Sequence, residues 1–213
     1  MSKRFSDLGV NDLLQKGLGD LQISVPTDIQ EKTIPLVLNQ TEDLVAVAKT
    51  GTGKTAAFGI PLLQLIDTDN TNVQVVILAP TRELGQQIHS NLVSYASQSS
   101  SISIAAVCGG IPIKPQIERL KTPTHIVVAT PGRLVDLVKR GALNIKTIAY
   151  LVLDEADEMV SALKQDLDLI IKAIPKTRRT LLFTATLSGA VKQLVQNYMS
   201  KYVIHIEADM ITV

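Results

Sequence analysis

The chain has 213 residues, 46% of them hydrophobic and 19% charged, with 21 basic residues against 20 acidic ones for a net charge of +1. This is the make-up of an ordinary globular protein. The charge balance excludes a large basic field, so any contact with a polyanion must rest on a local patch. A lone cysteine, Cys108, excludes a disulfide framework and suits a reducing compartment. The N-terminus MSKRFSDLGV has no signal-peptide core, and no apolar run approaches the ~20 residues that span a bilayer. A cytoplasmic protein with no membrane partner is expected. Aromatics make up 3% of the chain, so the core must be aliphatic.

In chain order, two helices are predicted first, over 6–18 and 27–38, the second entered through Pro26 and Thr27. Seven short apolar runs follow, at 43–48, 73–80, 102–107, 125–130, 149–154, 179–185 and 202–206. They are rich in Val and Ile and do not alternate strictly with polar residues, which marks strands buried on both faces. The stretches between them carry helical spacing, as in Leu84, Ile88, Leu92 and Tyr95. Strand and helix in alternation predict an α/β fold, a doubly wound and mostly parallel sheet of about seven strands with helices on both faces.

Two motifs carry chemistry on their own residues. AKTGTGKT (48–55) follows a predicted strand and opens a predicted helix. Thr50, Gly51, Thr52 and Gly53 can curl their backbone N–H groups around a phosphate chain, helped by the helix N-terminus. Lys54 can reach the β- and γ-phosphates, and Thr55 can place its hydroxyl on Mg²⁺. Ala48 stands where such a loop usually opens on glycine. LVLDEAD (151–157) ends a strand in two carboxylates, at the sheet edge where open α/β folds bind ligands. Asp154 can hold Mg²⁺, partly through water, and Glu155 can orient and deprotonate an attacking water. A glycine-rich turn without ligand and an acidic helix start are the bland alternatives. Their pairing about 100 residues apart, each on its own strand, weighs against both.

In order and spacing the motifs resemble the first RecA-like motor domain of DEAD-box RNA helicases, almost end to end. VPTDIQ (25–30) resembles the adenine-reading Q motif, PTREL (80–84) and TPGR (130–133) the family's RNA motifs, and Gly109-Gly110 its glycine doublet. TAT (184–186) stands where the family usually has SAT. The resemblance implies ATP and Mg²⁺ as cofactors, with Gln30 reading the adenine and Phe5 stacking on it; an ordinary N-terminal core anchor is the other reading of Phe5. It implies RNA as partner, gripped by its backbone without regard to sequence. Pro80, Thr81, Arg82, Gly110, Thr130, Gly132 and Arg133 form that RNA site. It also implies a hydrogen-bonded link from Asp157 to Thr184 and Thr186 that couples hydrolysis to strand separation. Thr184 keeps the hydroxyl of the usual serine, so the link is expected here.

The chain departs from the family in one place. Leu163-Lys164 stands where a Gly-Phe pair is common. The expected domain runs over 1–206, with the Q motif at 5–30 and 207–213 as the start of an interdomain linker. A second RecA-like domain would lie outside this chain and supply arginine fingers, each worth ~10³–10⁵ in rate in related phosphoryl transfer. Weak activity from this chain alone, as a monomer, is the expectation. A DNA helicase and a non-catalytic RNA clamp are the competing readings. VPTDIQ and PTREL argue against the first, and intact Lys54, Thr55, Asp154 and Glu155 against the second.

Overall fold

Each of the seven apolar runs becomes a strand. In the computed structural model, which describes residues 3–208, they are β1 (Asp43–Val47), β2 (Val75–Leu78), β3 (Ile104–Val107), β4 (Ile126–Ala129), β5 (Tyr150–Leu153), β6 (Arg179–Thr184) and β7 (Val203–Glu207). They form one sheet in the order β3-β4-β2-β5-β6-β1-β7, and every pairing is parallel. Parallel neighbours need crossover connections, and helices supply them. These are α3 (Lys54–Leu65), α4 (Arg82–Tyr95), α5 (Lys114–Leu120), α6 (Pro131–Lys139), α7 (Ala156–Ala162), α8 (Lys164–Ala173) and α9 (Gly189–Tyr198).

Successive strand residues point to opposite faces. Leu44, Ala46, Ile77, Val128, Leu181 and Phe183 pack on one layer with the residues of α3 and α4. Val45, Leu78, Val127, Leu151 and Leu182 pack on the other with those of α6 to α9. The runs lack alternation because both faces are covered. Phe58 and Phe183, with ring centroids 5.1 Å apart, form the aromatic contact of an otherwise aliphatic core.

The first predicted helix divides. Phe5–Leu8 forms a 3₁₀ turn that ends at Gly9, whose φ of 86° lies in the left-handed region. A new helix, α1 (Asp12–Asp20), then starts under Asn11, whose side chain accepts from Leu14 N. Gly9 and Asn11 are stop and start signals, and they outweigh the apolar spacing that runs through them. The second helix, α2 (Asp28–Asn39), follows Thr27 as expected. At the other end, Glu207 still belongs to β7 and Ala208 N donates to Val47 O, so the expected linker does not begin at 207. Residues 209–213 of that linker lie outside the described residues.

The amino end of the sheet is tied by side chains. Arg179 donates to Glu42 O at 2.6 Å, Val37 O at 2.7 Å and Leu36 O at 3.1 Å, which closes the C-terminal end of α2. Asp43 accepts from Thr180 N and Ser200 N, each at 2.6 Å. Replacing Arg179 by Met keeps the apolar stem and strands the carbonyls of Val37 and Glu42, while Leu36 O keeps its bond from Gln40 N. An unpaired buried carbonyl costs ~1–3 kcal/mol, so urea unfolding of Arg179→Met is expected to register a loss of about 2 kcal/mol or more. A loss below ~1 kcal/mol would mean water replaces the guanidinium freely.

Candidate nucleotide and RNA sites

At the carboxyl end of β1 the backbone bends through Gly51 (φ 84°) and Gly53 (φ 97°) into α3. No side chain caps α3, so its first N–H groups face the loop. Thr52 Oγ1 donates to Lys49 O at 2.8 Å, which shapes the turn. Lys54 sits in the first turn of α3 with only 6% of its surface exposed, and Thr55 follows it half-buried. The Lys54 Nζ lies 3.8 Å from Asp154 Oδ1, beyond hydrogen-bond distance, and has no hydrogen-bond partner among the described residues. A buried ammonium with open donors beside an uncapped helix start is a cradle of the right charge and chemistry for a polyphosphate.

Asp154 and Glu155 follow β5, two strands from β1 in the sheet. Burial pushes the Asp154 carboxyl up to about 6, opposed by the Lys54 charge, with Glu155 raising it further. Glu155 N donates to Asp154 Oδ1 at 3.0 Å. Glu155 itself has φ 52°, a left-handed conformation that costs a non-glycine residue ~1–3 kcal/mol and recurs at functional positions. The Thr50 hydroxyl donates to Glu155 Oε1 at 3.2 Å, so loop and carboxylate meet directly. Nothing in the spacing of the sequence announces that contact.

Gln30 lies in α2 with 4% exposure, and its amide is already engaged. Its Oε1 accepts from Thr27 N at 3.0 Å and its Nε2 donates to Gly53 O at 3.2 Å. A Cβ on residue 53 would come within 2.4 Å of that Nε2, so the brace also requires glycine there. One N–H of the amide remains for a ligand. Phe5 departs from expectation. Its ring is 4% exposed within the aliphatic layer that holds Leu8, Val10 and Leu14, so it offers almost no face for a purine to stack on. With few aromatics in the chain, core packing claims the ring.

The second set of motifs follows β2, β3 and β4. Thr81 accepts from Leu84 N and caps α4. Arg82 Nη1 donates to Gly110 O at 3.4 Å, and Arg133 Nη2 to Ile111 O at 2.8 Å. Thr130 Oγ1 accepts from Gly109 N at 3.0 Å, which leaves its own O–H free to donate. Together Pro80, Arg82, Gly110, Thr130, Gly132 and Arg133 line a cleft of about 600 Å³. Glu83 and Asp136 line it too, with Asp136 held by Arg140 at 2.7 Å. Leu163 also reaches this cleft, which gives the Leu163-Lys164 departure a place: an apolar side chain at the rim of a polar groove.

Between the two sites, Thr186 Oγ1 donates to Asp157 Oδ2 at 3.0 Å. Thr184 is fully buried and its hydroxyl donates to Thr186 O at 2.9 Å. Thr186 is thus the direct partner of Asp157, and Thr184 shapes the turn that presents it.

Asp154 gives the nucleotide site a measurable signature. Between about pH 4 and 6 the native state keeps a proton that the unfolded chain, with its ordinary carboxyl near 3.8, has released. Native stability therefore falls as pH rises through that window. Asp154→Asn has no such titration. Its stability relative to wild type, read by urea unfolding, is expected to improve by on the order of 3 kcal/mol from pH 4 to pH 7. A flat difference would mean the carboxyl titrates normally.

The geometry agrees with comparisons to known proteins. The family profile for DEAD/DEAH box helicases matches residues 27–194. The chain is 42% identical over 199 residues to a probable ATP-dependent RNA helicase of Methanocaldococcus jannaschii, covering 93% of this chain and 53% of that protein. It is 42% identical over 197 residues to the DEAD-box ATP-dependent RNA helicase CshA of Streptococcus pneumoniae, covering 92% of this chain and 37% of that protein. The crystal structure of a DEAD box protein from the hyperthermophile Methanococcus jannaschii superposes with a TM-score of 0.91 at 39% identity, over 98% of this chain and 57% of that one. The chain spans about half or less of the length of these relatives. No helix among the described residues is long and apolar enough to cross a membrane. The extent of the match and the all-parallel sheet agree: this chain belongs to the DEAD/DEAH box helicase family.

Proposed function

We propose that the chain is the ATP-binding motor domain of an ATP-dependent RNA helicase and works with a second RecA-like domain. The observation that carries the reading is the buried, unpartnered Lys54 ammonium in an open glycine cradle, 3.8 Å from a buried carboxylate. The backbone N–H groups of 50–54 and Lys54 bind the phosphates of ATP. Mg²⁺ arriving with ATP would be held by the Thr55 hydroxyl and, partly through water, by Asp154, and it would neutralise charge on the β- and γ-phosphates. Glu155 orients a water and takes its proton as the water oxygen bonds to the γ-phosphorus and the bond to ADP breaks. A bound phosphate chain would give the Lys54 ammonium the hydrogen-bond acceptors it lacks and draw Thr50 away from Glu155, freeing the base.

On the same sheet edge, the O–H of Thr130, the N–H groups of Gly110 and Gly132, and the guanidinium groups of Arg82 and Arg133 receive RNA phosphates. Pro80 and Thr81 shape that wall. Such contacts hold a strand by its backbone, whatever its sequence. Asp157 and Thr186 connect the two sites, with Thr184 behind them. In the protein with both motor domains, Thr186→Val is expected to keep RNA-stimulated hydrolysis and lose most strand separation, measured side by side. Equal loss of both, or of neither, would sever the proposed link.

The nucleotide assignment is tested by calorimetric titration of this chain with ATP, ADP and GTP, each with Mg²⁺. Adenine nucleotides are expected to bind and GTP not to. Lys54→Ala should weaken ATP by at least tenfold, the scale of a charge-assisted hydrogen bond. Gln30→Ala separates two roles. If Gln30 reads the base, the preference for ATP over GTP collapses. If it only braces Gly53, ATP weakens and the preference stands.

A further inference from the structure

Gln116 lies in α5, outside both motif sets, with 6% of its surface exposed. Its Nε2 donates to Cys108 O at 3.0 Å, and its Oε1 has no partner among the described residues. A half-satisfied amide in an apolar setting is a poor choice for packing alone, because an aliphatic side chain would fill the space without stranding an acceptor. Its position supplies the reason. Cys108 O is one of three carbonyls in segment 108–111 that are each held by a side chain from a different element. Gln116 holds residue 108, Arg82 of α4 holds Gly110, and Arg133 of α6 holds Ile111. Between them Gly109 N is taken by Thr130 Oγ1.

The anchors are not equivalent. Arg82, Arg133 and Thr130 line the cleft and are the groups that would turn to a phosphate. Gln116 is buried, carries no charge and does not line the cleft, so its hold on Cys108 O does not compete with a ligand there. Gly110 has a left-handed backbone, φ 76°, and a carbonyl fixed two residues earlier restricts the chain entering that turn.

We infer that Gln116 is a positioning residue for RNA, which pins the Gly109-Gly110 segment so that the Gly110 N–H meets a phosphate oxygen. The inference rests on the RNA reading of the cleft. Gln116→Met keeps length and bulk and removes the donor. A fluorescein-labelled oligouridylate, followed by anisotropy across a salt series, is expected to bind the variant about 3- to 10-fold more weakly, the worth of one neutral hydrogen bond. The dependence on salt should be unchanged, since no phosphate-neutralising charge is lost. Arg133→Ala, in contrast, should lower both affinity and salt slope. ATP titration should match wild type. Without RNA, amide exchange at Gly109, Gly110 and Ile111 should quicken severalfold while β3 and β4 keep their protection. Should the Met variant not fold, Gln116→Asn keeps the amide, withdraws it by one methylene, and reads the same. Wild-type affinity or wild-type exchange in the variant, with wild type binding RNA, overturns the inference alone. A wild-type chain that binds no oligouridylate at low salt overturns the RNA reading, and the role of Gln116 falls with it.

Discussion

Every strand of the sheet runs in the same direction, and the placement of both sites depends on that constraint. Six parallel pairings bring all strand carboxyl ends to one edge, where the chain must leave the sheet as a loop and turn into a helix. The order β3-β4-β2-β5-β6-β1-β7 then sorts the loops. AKTGTGKT, DEAD and TAT follow β1, β5 and β6, three neighbours. Gly109-Gly110, TPGR and PTREL follow β3, β4 and β2, the next three. β5 stands at the boundary, so Asp154 and Glu155 face the phosphate loop while Asp157, on the first turn of α7, faces the turn after β6. Two clusters of motif residues and a contact between them follow from strand order.

The nucleotide site is held in an unfavourable state. Lys54 is buried without a hydrogen bond, Asp154 is buried and resists ionisation, and Glu155 sits in a left-handed conformation. Each costs stability in isolation. The aliphatic layers on both faces of the sheet, and the polar ties of Arg179 and Asp43 at its far end, offset that cost. Tension at one edge and satisfied packing at the other are what a binding site built on a rigid sheet requires. A ligand with phosphates and a divalent cation would supply the partners the site lacks.

The RNA-side cleft works by a different economy. Glu83 and Asp136 share its lining with Arg82 and Arg133, and both arginines already hold carbonyls of the glycine segment. With a net charge of +1, the chain has no large field to attract a polyanion from a distance. Under the RNA reading proposed above, grip would come from donors set in place beforehand, and the backbone between 108 and 111 is densely anchored. Leu163 at the rim suits the apolar face of a ribose or base better than a phosphate.

Local order was largely legible in the sequence. The seven runs, the phosphate loop, the strand that ends in Asp154 and the start of α2 at Thr27 each follow from residue spacing and cap chemistry within about a dozen positions. The break at Gly9 was equally local, a stop signal that outweighs the apolar rhythm running through it. Contacts between distant segments were not legible. That Phe5 turns into the core, that Gln30 braces Gly53, that Thr186 rather than Thr184 meets Asp157, and that Gln116 reaches Cys108 depend on where the sheet and its helices place residues far apart in the chain. Periodicity states which face of an element is apolar. Only the packed sheet decides which partner that face, or a polar group beside it, will meet.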